Sequence, residues 1–427
     1  MPSSGHIFKI FLATFAVSFL AIILLTAVFN VLVDPYGLFG TDRIEGLNMI
    51  KPSASKHVRL AKPYQATRAH PKTVIGGNSR PEMGLNPLSG CWPDQMLPVF
   101  NFGLPGANIH MQSRTLQHAI SDSSVKYVLW GLDFVDFLNR FPGSPKASQL
   151  PEARLPIEDR LKVNADGSEN GNFEKTYLVD YLSTAFSLDS VKDSLFTLAA
   201  QRRPQSSTIR EDGFNPAAEY RDIVAWEGQS VLFRQKNRDM ARSFSRPGLK
   251  VLQPDVRWSS DFESVKNTIR IMQDRDIILV IFINPYHAEY LSLIHLAGLW
   301  SEFETWKRKL VEVAAEFDLE VWDFSGINRF SSENEPAPGD KRTTLAWFWE
   351  PAHYRQEYGD LMLKQMLGHS CQVKSEEPVG TLLTSDNIEE HIVNSANDMQ
   401  RYQEGHPEVI RTLSGYIQEF DSARTNR

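Results

Sequence analysis

A serine that follows two glycines and a histidine near the far end of the chain are the side chains best suited to chemistry. Ser79 follows the apolar run 73–77, which ends in Gly76 and Gly77, with only Asn78 between them, and His353 follows the segment 349–352. A hydroxyl and an imidazole that meet in the folded protein can act as nucleophile and general base in acyl-ester chemistry. Because the two residues lie far apart in the chain, the fold must bring them together.

Glu350 stands three residues before His353. A helical turn would bring both side chains onto one face, and Pro351 would restrict the backbone between them. A carboxylate beside an imidazole can orient the ring and stabilise its protonated form. The alternative is a loop histidine with a surface glutamate, but the aromatic residues 347–349 favour a loop that is anchored in apolar surroundings.

Two glycine-rich turns each have a functional and a structural interpretation. At Gly76–Ser79 the glycines allow a sharp turn that exposes the hydroxyl, or the serine caps the next helix. The turn within Asn101–Asn108 also follows a predicted strand and precedes a predicted helix. Its amide groups could stabilise an oxyanion, although a loop that needs unusual backbone angles requires the same glycines.

The elements that would position these residues alternate as in α/β folds. Apolar runs predict strands at 72–76, 98–102, 126–131, 277–283 and 320–324. Helices are predicted at 108–121, 301–317 and 357–367. Sequential strands with helical crossovers predict a mostly parallel sheet flanked by helices, and sites in such sheets gather at the carboxyl ends of strands.

The rest of the chain divides into segments around this predicted domain of residues 72–368. Residues 34–71 are interpreted as a linker. Residues 134–260 are interpreted as an insertion, with an amphipathic helix near 177–196, which could shape a substrate cleft or be a structural elaboration. Residues 369–427 are predicted to be a polar helical tail, whose apolar stripe would dock on its own protein.

Residues 8–33 are predicted to be a transmembrane anchor. The stretch 10–33 carries no charge and would reach roughly 36 Å as a helix, enough to cross a bilayer. It is longer than the apolar part of a signal peptide, although a cleaved export signal is the alternative. Lys9 precedes the stretch, whereas Asp34 and Asp42 follow it, which favours a cytoplasmic N-terminus and a periplasmic or otherwise extracytoplasmic main domain on the plasma (inner) membrane.

The composition narrows the classes of partner and cofactor. A net charge of −7 and the lack of a basic stripe argue against nucleic acid. Cys91 and Cys371 form no metal-like cluster with histidine, so neither a metal nor another cofactor is expected. The two cysteines could pair in an oxidising compartment or remain separate buried thiols.

The order of these motifs resembles the SGNH, or GDSL-like, hydrolase family. Gly77-Asn78-Ser79 is similar to the Gly-Asp-Ser nucleophile block of that family. Gly106 is similar to the glycine whose amide contributes to the oxyanion hole. Gly131-Leu132-Asp133 resembles the third block, and Glu350-Pro351-Ala352-His353 resembles the final Asp-x-x-His block with glutamate in place of aspartate.

The resemblance covers residues 72–368 without the insertion and implies a flavodoxin-like α/β domain. It further implies that Ser79 is the nucleophile, His353 the base and Glu350 the residue that orients the base. Gly106 and the Ser79 amide would contact the oxyanion.

Two positions depart from the family pattern. Asn78 replaces the usual aspartate, and Asp133 stands where the family has an asparagine that donates to the oxyanion. Because an ionised carboxylate cannot donate, either Asn108 or Arg80 replaces it, Asp133 points elsewhere, or the site is weak. Arg80 could also hold an anionic substrate group or pair with a carboxylate. His287, just after a predicted strand, could bind substrate or be hydrogen-bonded within its loop.

These expectations lead to a membrane-anchored serine esterase or O-acyltransferase. The resemblance extends to export-facing proteins of polysaccharide O-acetylation and implies an ester of a cell-surface polysaccharide as substrate. The alternative is a catalytically inactive SGNH-like envelope protein that binds glycan or a partner enzyme. A third hypothesis is an assembly subunit that uses the tail helix.

Overall fold

The computed structural model describes residues 4–140, 157–203, 208–255 and 257–425, so parts of the predicted insertion lie outside the described residues. The strands are β1 (Thr73–Gly77), β2 (Val99–Asn101), β3 (Tyr127–Leu132), β4 (Asn139–Arg140), β5 (Leu249–Lys250), β6 (Ile278–Ile283), β7 (Val321–Asp323), β8 (Phe348–Glu350), β9 (His353–Tyr354) and β10 (Thr381–Leu383). The first seven α-helices are α1 (Ser4–Val33), α2 (Val58–Ala69), α3 (Ser79–Gly84), α4 (Ile109–Ala119), α5 (Phe173–Phe186), α6 (Leu188–Ala200) and α7 (Ala218–Glu227). The remaining helices are α8 (Gln229–Phe244), α9 (Ser260–Gln273), α10 (Ala288–Leu296), α11 (Trp300–Ala315), α12 (Gln356–Leu367), α13 (Ile388–Gly405) and α14 (Pro407–Thr425).

The centre of the molecule is a six-stranded sheet in the order β10-β7-β6-β3-β1-β2. All neighbours in it are parallel except β10, which pairs antiparallel with β7 at the edge. The chain thus winds outward from β1 in both directions. In an open sheet of this kind the crevice for a ligand forms where the winding reverses, at the carboxyl ends of β1 and β3.

Alternation along the strands sends side chains into two separate cores. Val74 and Val128 point to one face, which is covered by apolar residues of α4, α9 and α11. Ile75 and Leu129 point to the other face, which is covered by α12. Because successive strand residues face opposite sides, a sheet buried on both faces needs continuous apolar strands, as found here. The predicted α/β class with a mostly parallel, helix-flanked sheet is confirmed.

The N-terminal helix α1 is long and apolar enough to cross a membrane, because its 29 residues from Gly5 to Val33 contain an 18-residue window with a mean hydropathy of 2.6. Its last turn is fastened to the folded domain. The buried Lys51 ammonium donates to the carbonyl oxygens of Val33 at 3.2 Å and Asp34 at 2.6 Å. A cation at this position satisfies carbonyls that a helix end leaves free and complements the helix dipole.

Two predicted boundaries are corrected. The segment 34–71 is not a linker, because α2 buries residues such as Tyr64 and packs against α4. The segment after residue 368 is not a separate tail, because β10 joins the central sheet and α14 packs on α8 and α10. The tail helix does dock on its own protein, as expected.

The insertion contains more helix than predicted. The expected helix near 177–196 is two helices, α5 and α6, which are separated at Ser187. The hydroxyl of Ser187 accepts hydrogen bonds from the amides of Asp189 and Ser190, at 3.1 and 3.3 Å. A serine cap of this kind begins a new helix, so the amphipathic pattern of the sequence continues although the helix itself is interrupted at Ser187.

Cys91 and Cys371 form a disulfide, which decides between the two interpretations of these cysteines. It joins the loop after α3 to the segment after α12 and has a sequence separation of 280 residues. A crosslink across so long a segment removes much of the conformational freedom of the unfolded chain.

We expect the double substitution Cys91→Ala/Cys371→Ala to lower the free energy of unfolding by about 2–5 kcal/mol. Denaturant titration of the full chain, followed by tryptophan fluorescence, measures the change. Dithiothreitol should lower the unfolding midpoint of the parent protein and leave that of the variant unchanged. An unfolding midpoint of the parent that does not respond to the reductant would contradict the crosslink.

Candidate active site

Ser79 is the first residue of α3, at the carboxyl end of β1. Gly77 makes the preceding turn possible, because its φ is +138° and an added Cβ would lie 2.8 Å from the carbonyl oxygen of Gly131. Asn78 caps α3 by accepting a hydrogen bond from the amide of Arg80 at 2.9 Å. The chain therefore leaves the strand sharply, and the serine stands half-buried at the helix start.

His353 and Glu350 face each other across a tight β-hairpin. Strands β8 and β9 pair antiparallel with Glu350 opposite His353, and Pro351 and Ala352 form the turn. The helical turn predicted for these residues is wrong. Residues three apart also become neighbours when two residues form the turn of a hairpin, because the flanking residues are then direct cross-strand partners.

The three side chains form a continuous hydrogen-bonded chain. Ser79 Oγ lies 2.7 Å from His353 Nε2. His353 Nδ1 contacts Glu350 Oε1, and Glu350 Oε2 accepts from the amide of Ala352 at 2.7 Å. A carboxylate on Nδ1 places the ring proton there, so Nε2 is left as the acceptor for the serine hydroxyl. The structure thus brings together the three residues that the sequence singled out for catalysis.

The electrostatics keep the glutamate charged and the histidine neutral. Burial acts to raise the pKa of Glu350, but the charge of Lys236 and the contact with His353 outweigh it and lower that pKa to about 2. Burial lowers the pKa of His353 below its usual 6.5, and Lys236 and Arg80 act in the same direction against Glu350. A neutral imidazole beside an ionised carboxylate is the form that can accept a proton at neutral pH.

Two residues of the insertion complete this arrangement. The hydroxyl of Tyr220 on α7 lies 3.4 Å from Glu350 Oε1 and 3.5 Å from His353 Nδ1. Lys236 Nζ on α8 lies 3.7 Å from Glu350 Oε1. Neither Tyr220 nor Lys236 was predicted as a site residue, because the local sequence of α7 and α8 does not indicate contact with a histidine more than 100 residues away.

A pocket of about 240 Å³ opens over the serine. Its walls come from five parts of the chain and comprise Ser55, Ser79, Glu82, Met83, Pro105, Asn215, Ala217, Glu219, Tyr220 and His353. The supposed linker contributes Ser55, and the insertion contributes the residues from Asn215 to Tyr220. Larger pockets of about 410, 460, 430 and 310 Å³ lie elsewhere on the described residues, and none of these four contains Ser79 or His353 in its lining.

Arg80 and Asp133 do not face this pocket. Asp133 is fully buried, pairs with the Arg80 guanidinium, and accepts hydrogen bonds from Asn78 Nδ2 at 3.1 Å and the Tyr286 hydroxyl at 2.8 Å. Arg80 Nε also donates to the carbonyl of Ala352 at 2.6 Å. The expectation that they contact substrate is corrected, because the buried carboxylate and guanidinium neutralise each other below the site.

His287 and Asn108 are structural residues as well. His287 is buried, its Nε2 lies 2.9 Å from the carbonyl of Glu333, and its amide donates to the carbonyl of Pro351 at 3.1 Å. Asn108 Oδ1 caps α4 by accepting from the amide of Met111 at 2.9 Å. Neither side chain lines the pocket. Of the two alternatives for His287, the structure agrees with the histidine that is hydrogen-bonded within its loop, and Asn108 is corrected as a substrate contact.

Gly106 lies beside the pocket wall. It is exposed, has a φ of +65°, and follows Pro105, whose carbonyl accepts from Arg59 at 2.6 Å. Gly103 has a different function in the same turn, because an added Cβ would lie 2.8 Å from the carbonyl oxygen of Asn78 and the amide of Glu82. Close packing of this turn on α3 therefore requires glycine at 103. The proposed oxyanion contact of Gly106 stays a prediction.

Among the residues that the structure describes, no group of three or more histidine, cysteine, aspartate or glutamate side chains is arranged to hold a metal ion. Comparison of the chain with known protein families finds no matching family, and comparison with curated proteins finds no matching relative. The function must therefore be argued from the site.

We expect Asp133→Asn to lower the free energy of unfolding by about 3–5 kcal/mol, because it leaves the buried Arg80 charge without its counter-charge. The matched control is Glu419→Gln, which removes the partner of Arg238 in a pair that is 49% exposed on both sides. Its cost should stay below about 1 kcal/mol. Chemical denaturation measures both, and equal effects of the two substitutions would contradict the buried pair.

Proposed function

We propose that this protein is a membrane-anchored serine esterase or O-acyltransferase with an SGNH-like, flavodoxin-like domain. The observation that carries the proposal is the contact of 2.7 Å between Ser79 Oγ and His353 Nε2, with Glu350 on the other ring nitrogen. A polar turn or a helix cap needs no imidazole at the serine hydroxyl, whereas nucleophilic catalysis does.

In the proposed reaction, Ser79 Oγ attacks the ester carbonyl while its proton moves to His353 Nε2. The tetrahedral intermediate expels the alcohol, which takes that proton, and an acyl-serine remains. Water or a sugar hydroxyl then attacks the acyl-serine, with His353 first accepting its proton and then returning it to Ser79. Hydrolysis and transfer differ only in this second nucleophile, and Glu350 holds the imidazole through both halves.

Two groups are proposed to stabilise the oxyanion. The Ser79 amide is at the start of α3, where helix amides have no partner within the helix. The Gly106 amide belongs to the turn at the pocket wall. Burial of Asp133 supports activity, because its carboxylate is neutralised by Arg80 and directs no charge at the developing oxyanion. The catalytically inactive alternative therefore loses the feature that favoured it.

The pocket supports a small acyl group. Its volume of about 240 Å³ is below the usual range for drug-sized ligands, of about 300–1,000 Å³. Glu82 in its wall is compensated by the Lys62 ammonium at 2.8 Å, while Glu219 adds a carboxylate, so a neutral ester fits better than an anionic one. These features are consistent with an acetyl-type ester and a hydroxyl-bearing acceptor.

The proposed location is the outer face of the plasma membrane, with the N-terminus in the cytoplasm. Helix α1 supports an anchor, and the Cys91–Cys371 disulfide supports an oxidising compartment outside the cytoplasm. The resemblance to export-facing proteins of polysaccharide O-acetylation favours a cell-surface polysaccharide as the acceptor. We therefore propose such a glycan ester as the substrate.

We expect a fluorophosphonate to label the purified full chain at Ser79. Ser79→Ala should abolish labelling, and His353→Ala should slow it by about 10²–10⁴-fold through loss of the general base. Ser55→Ala, at a second serine in the same pocket, is the matched control and should label at the parent rate. Labelling that persists in Ser79→Ala, or none in the parent protein, would refute the nucleophile. If the protein binds glycan but is not labelled and releases no acetate from p-nitrophenyl acetate, the catalytically inactive alternative is favoured.

The labelling rate should fall as the pH decreases through the pKa of His353. Because burial holds that pKa below 6.5, the neutral base predominates at pH 7, and the rate is lost only at lower pH. Lys236→Met removes a positive charge that lowers this pKa, so the acid limb should move to higher pH. Lys250→Met, at a surface pair with Glu302, should leave the limb in place. Coincident pH profiles for the parent and Lys236→Met would contradict the assignment.

A further inference from the structure

The helical hairpin of α5 and α6 has its large apolar side chains on the outside. Seven of them are at least 44% exposed, namely Leu178, Val179, Leu182, Phe186, Leu188, Leu195 and Phe196. The described surface of α5 from Thr176 to Phe186 exposes no charge, since Asp180 is buried against Tyr64 and Arg160. A soluble domain rarely leaves so large a contiguous set of apolar side chains in water.

The inside of the hairpin is small and polar. The buried positions of α6 are Ser190, Ser194, Thr197 and Ala200, and those near the end of α5 are Thr184 and Ala185. This arrangement reverses the usual amphipathic helix of a soluble protein. It resembles helices that pack together in a bilayer, where small residues allow close approach and large apolar residues face lipid.

The hairpin packs directly on the proposed anchor helix. Asn30 of α1 is fully buried there, and its amide donates to the carbonyls of Ala185 at 2.9 Å and Ser187 at 3.1 Å. The hydroxyl of Ser194 donates to Asn30 Oδ1 at 3.1 Å. A buried asparagine with every side-chain hydrogen bond directed at one hairpin holds the two elements in a single orientation.

The burial pattern of α1 indicates how deep the hairpin lies. Residues 5–22 are exposed on all sides, which corresponds to roughly 27 Å of helix. Side chains that are at least partly buried begin at Ile23 and recur at Thr26, Ala27 and Asn30, along one face of α1. The hydrocarbon core of a bilayer is about 30 Å thick, so the hairpin lies at the level where α1 leaves the core.

A second segment reaches the same level. The loop 41–50 encloses the end of α1, where Thr41 donates to the carbonyl of Val31 at 2.7 Å and Asn48 to that of Leu32 at 3.2 Å. This loop exposes the apolar side chains of Ile44 and Met49. Because the loop also exposes Asp42 and Glu45, both apolar and charged side chains surround the point where α1 enters the domain.

We propose that the α5–α6 hairpin inserts its exposed apolar face into the leaflet from which α1 emerges, as a monotopic element beside the anchor. Neither helix spans the bilayer, since 14 and 13 residues cover about 21 and 20 Å. The exposed Asp189 and Lys192 of α6 would lie among the headgroups. The inference rests on insertion of α1 and is independent of the proposed chemistry at Ser79.

The test uses single cysteines for a fluorescent label whose emission reports a nonpolar environment. Because Cys91 and Cys371 are paired, Leu182→Cys or Leu195→Cys introduces one free thiol into the full chain. The control is Val393→Cys on α13, which is 59% exposed and apolar but belongs to the C-terminal helices. Leu20→Cys in the exposed part of α1 is the reference for full insertion. The proteins are labelled with nitrobenzoxadiazole and reconstituted into phosphatidylcholine vesicles with or without spin-labelled lipid.

We expect spin-labelled lipid to reduce emission at positions 182 and 195 at least twofold, as at position 20, and to leave position 393 unchanged. Aqueous iodide should quench only position 393. If positions 182 and 195 respond to iodide and not to lipid, the hairpin is in water and the proposal is wrong. If neither quencher reduces the emission at positions 182 and 195, protein covers the α5–α6 hairpin and the proposal is wrong. The proposal is also wrong if spin-labelled lipid does not quench the label at position 20.

Discussion

The site depends on one buried charge. Arg80 is the residue after the candidate nucleophile, and its guanidinium pairs with Asp133 at the end of β3 and holds the carbonyl of Ala352 in the hairpin of His353. It also lies over the ring of Tyr286, 4.9 Å from the ring centre. A buried guanidinium is tolerated only when all of these partners are in place, so the serine helix, the sheet and the histidine hairpin are held in one arrangement.

The hairpin of His353 is supported from several sides for the same reason. His287 donates its amide to the carbonyl of Pro351, and Gln229 from the insertion donates to the carbonyls of Phe348 and Trp349 at 2.8 and 2.9 Å. A two-stranded hairpin is marginal in isolation, and these contacts satisfy its free carbonyls. Although β8 and β9 are not strands of the central sheet, these contacts and the bond from Arg80 keep the imidazole within hydrogen-bond distance of the serine.

The insertion connects the site with helix α1. Its α7 and α8 supply Tyr220 and Lys236 beside Glu350, while its α5 and α6 pack on α1. Because Lys51 and Asn30 fasten α1 to the domain, the anchor is not a flexible tether. If α1 spans a bilayer, the orientation of the domain relative to that bilayer is determined by these contacts.

The local sequence pattern was sufficient to predict the α/β class, the strand ends and the trio of Ser79, Glu350 and His353. These features depend on glycine turns, apolar runs and a short carboxylate–histidine spacing, which neighbouring residues encode. The same pattern could not predict the functions of Arg80, Asp133 and His287, since a polar residue after a strand looks the same whether it faces a pocket or a buried partner. It also placed Glu350 and His353 on a helical turn, whereas they meet on a hairpin, because a spacing of three fits both. Contacts between residues distant in the chain, which arise only when the whole molecule packs, made those distinctions and placed Tyr220 and the α5–α6 hairpin.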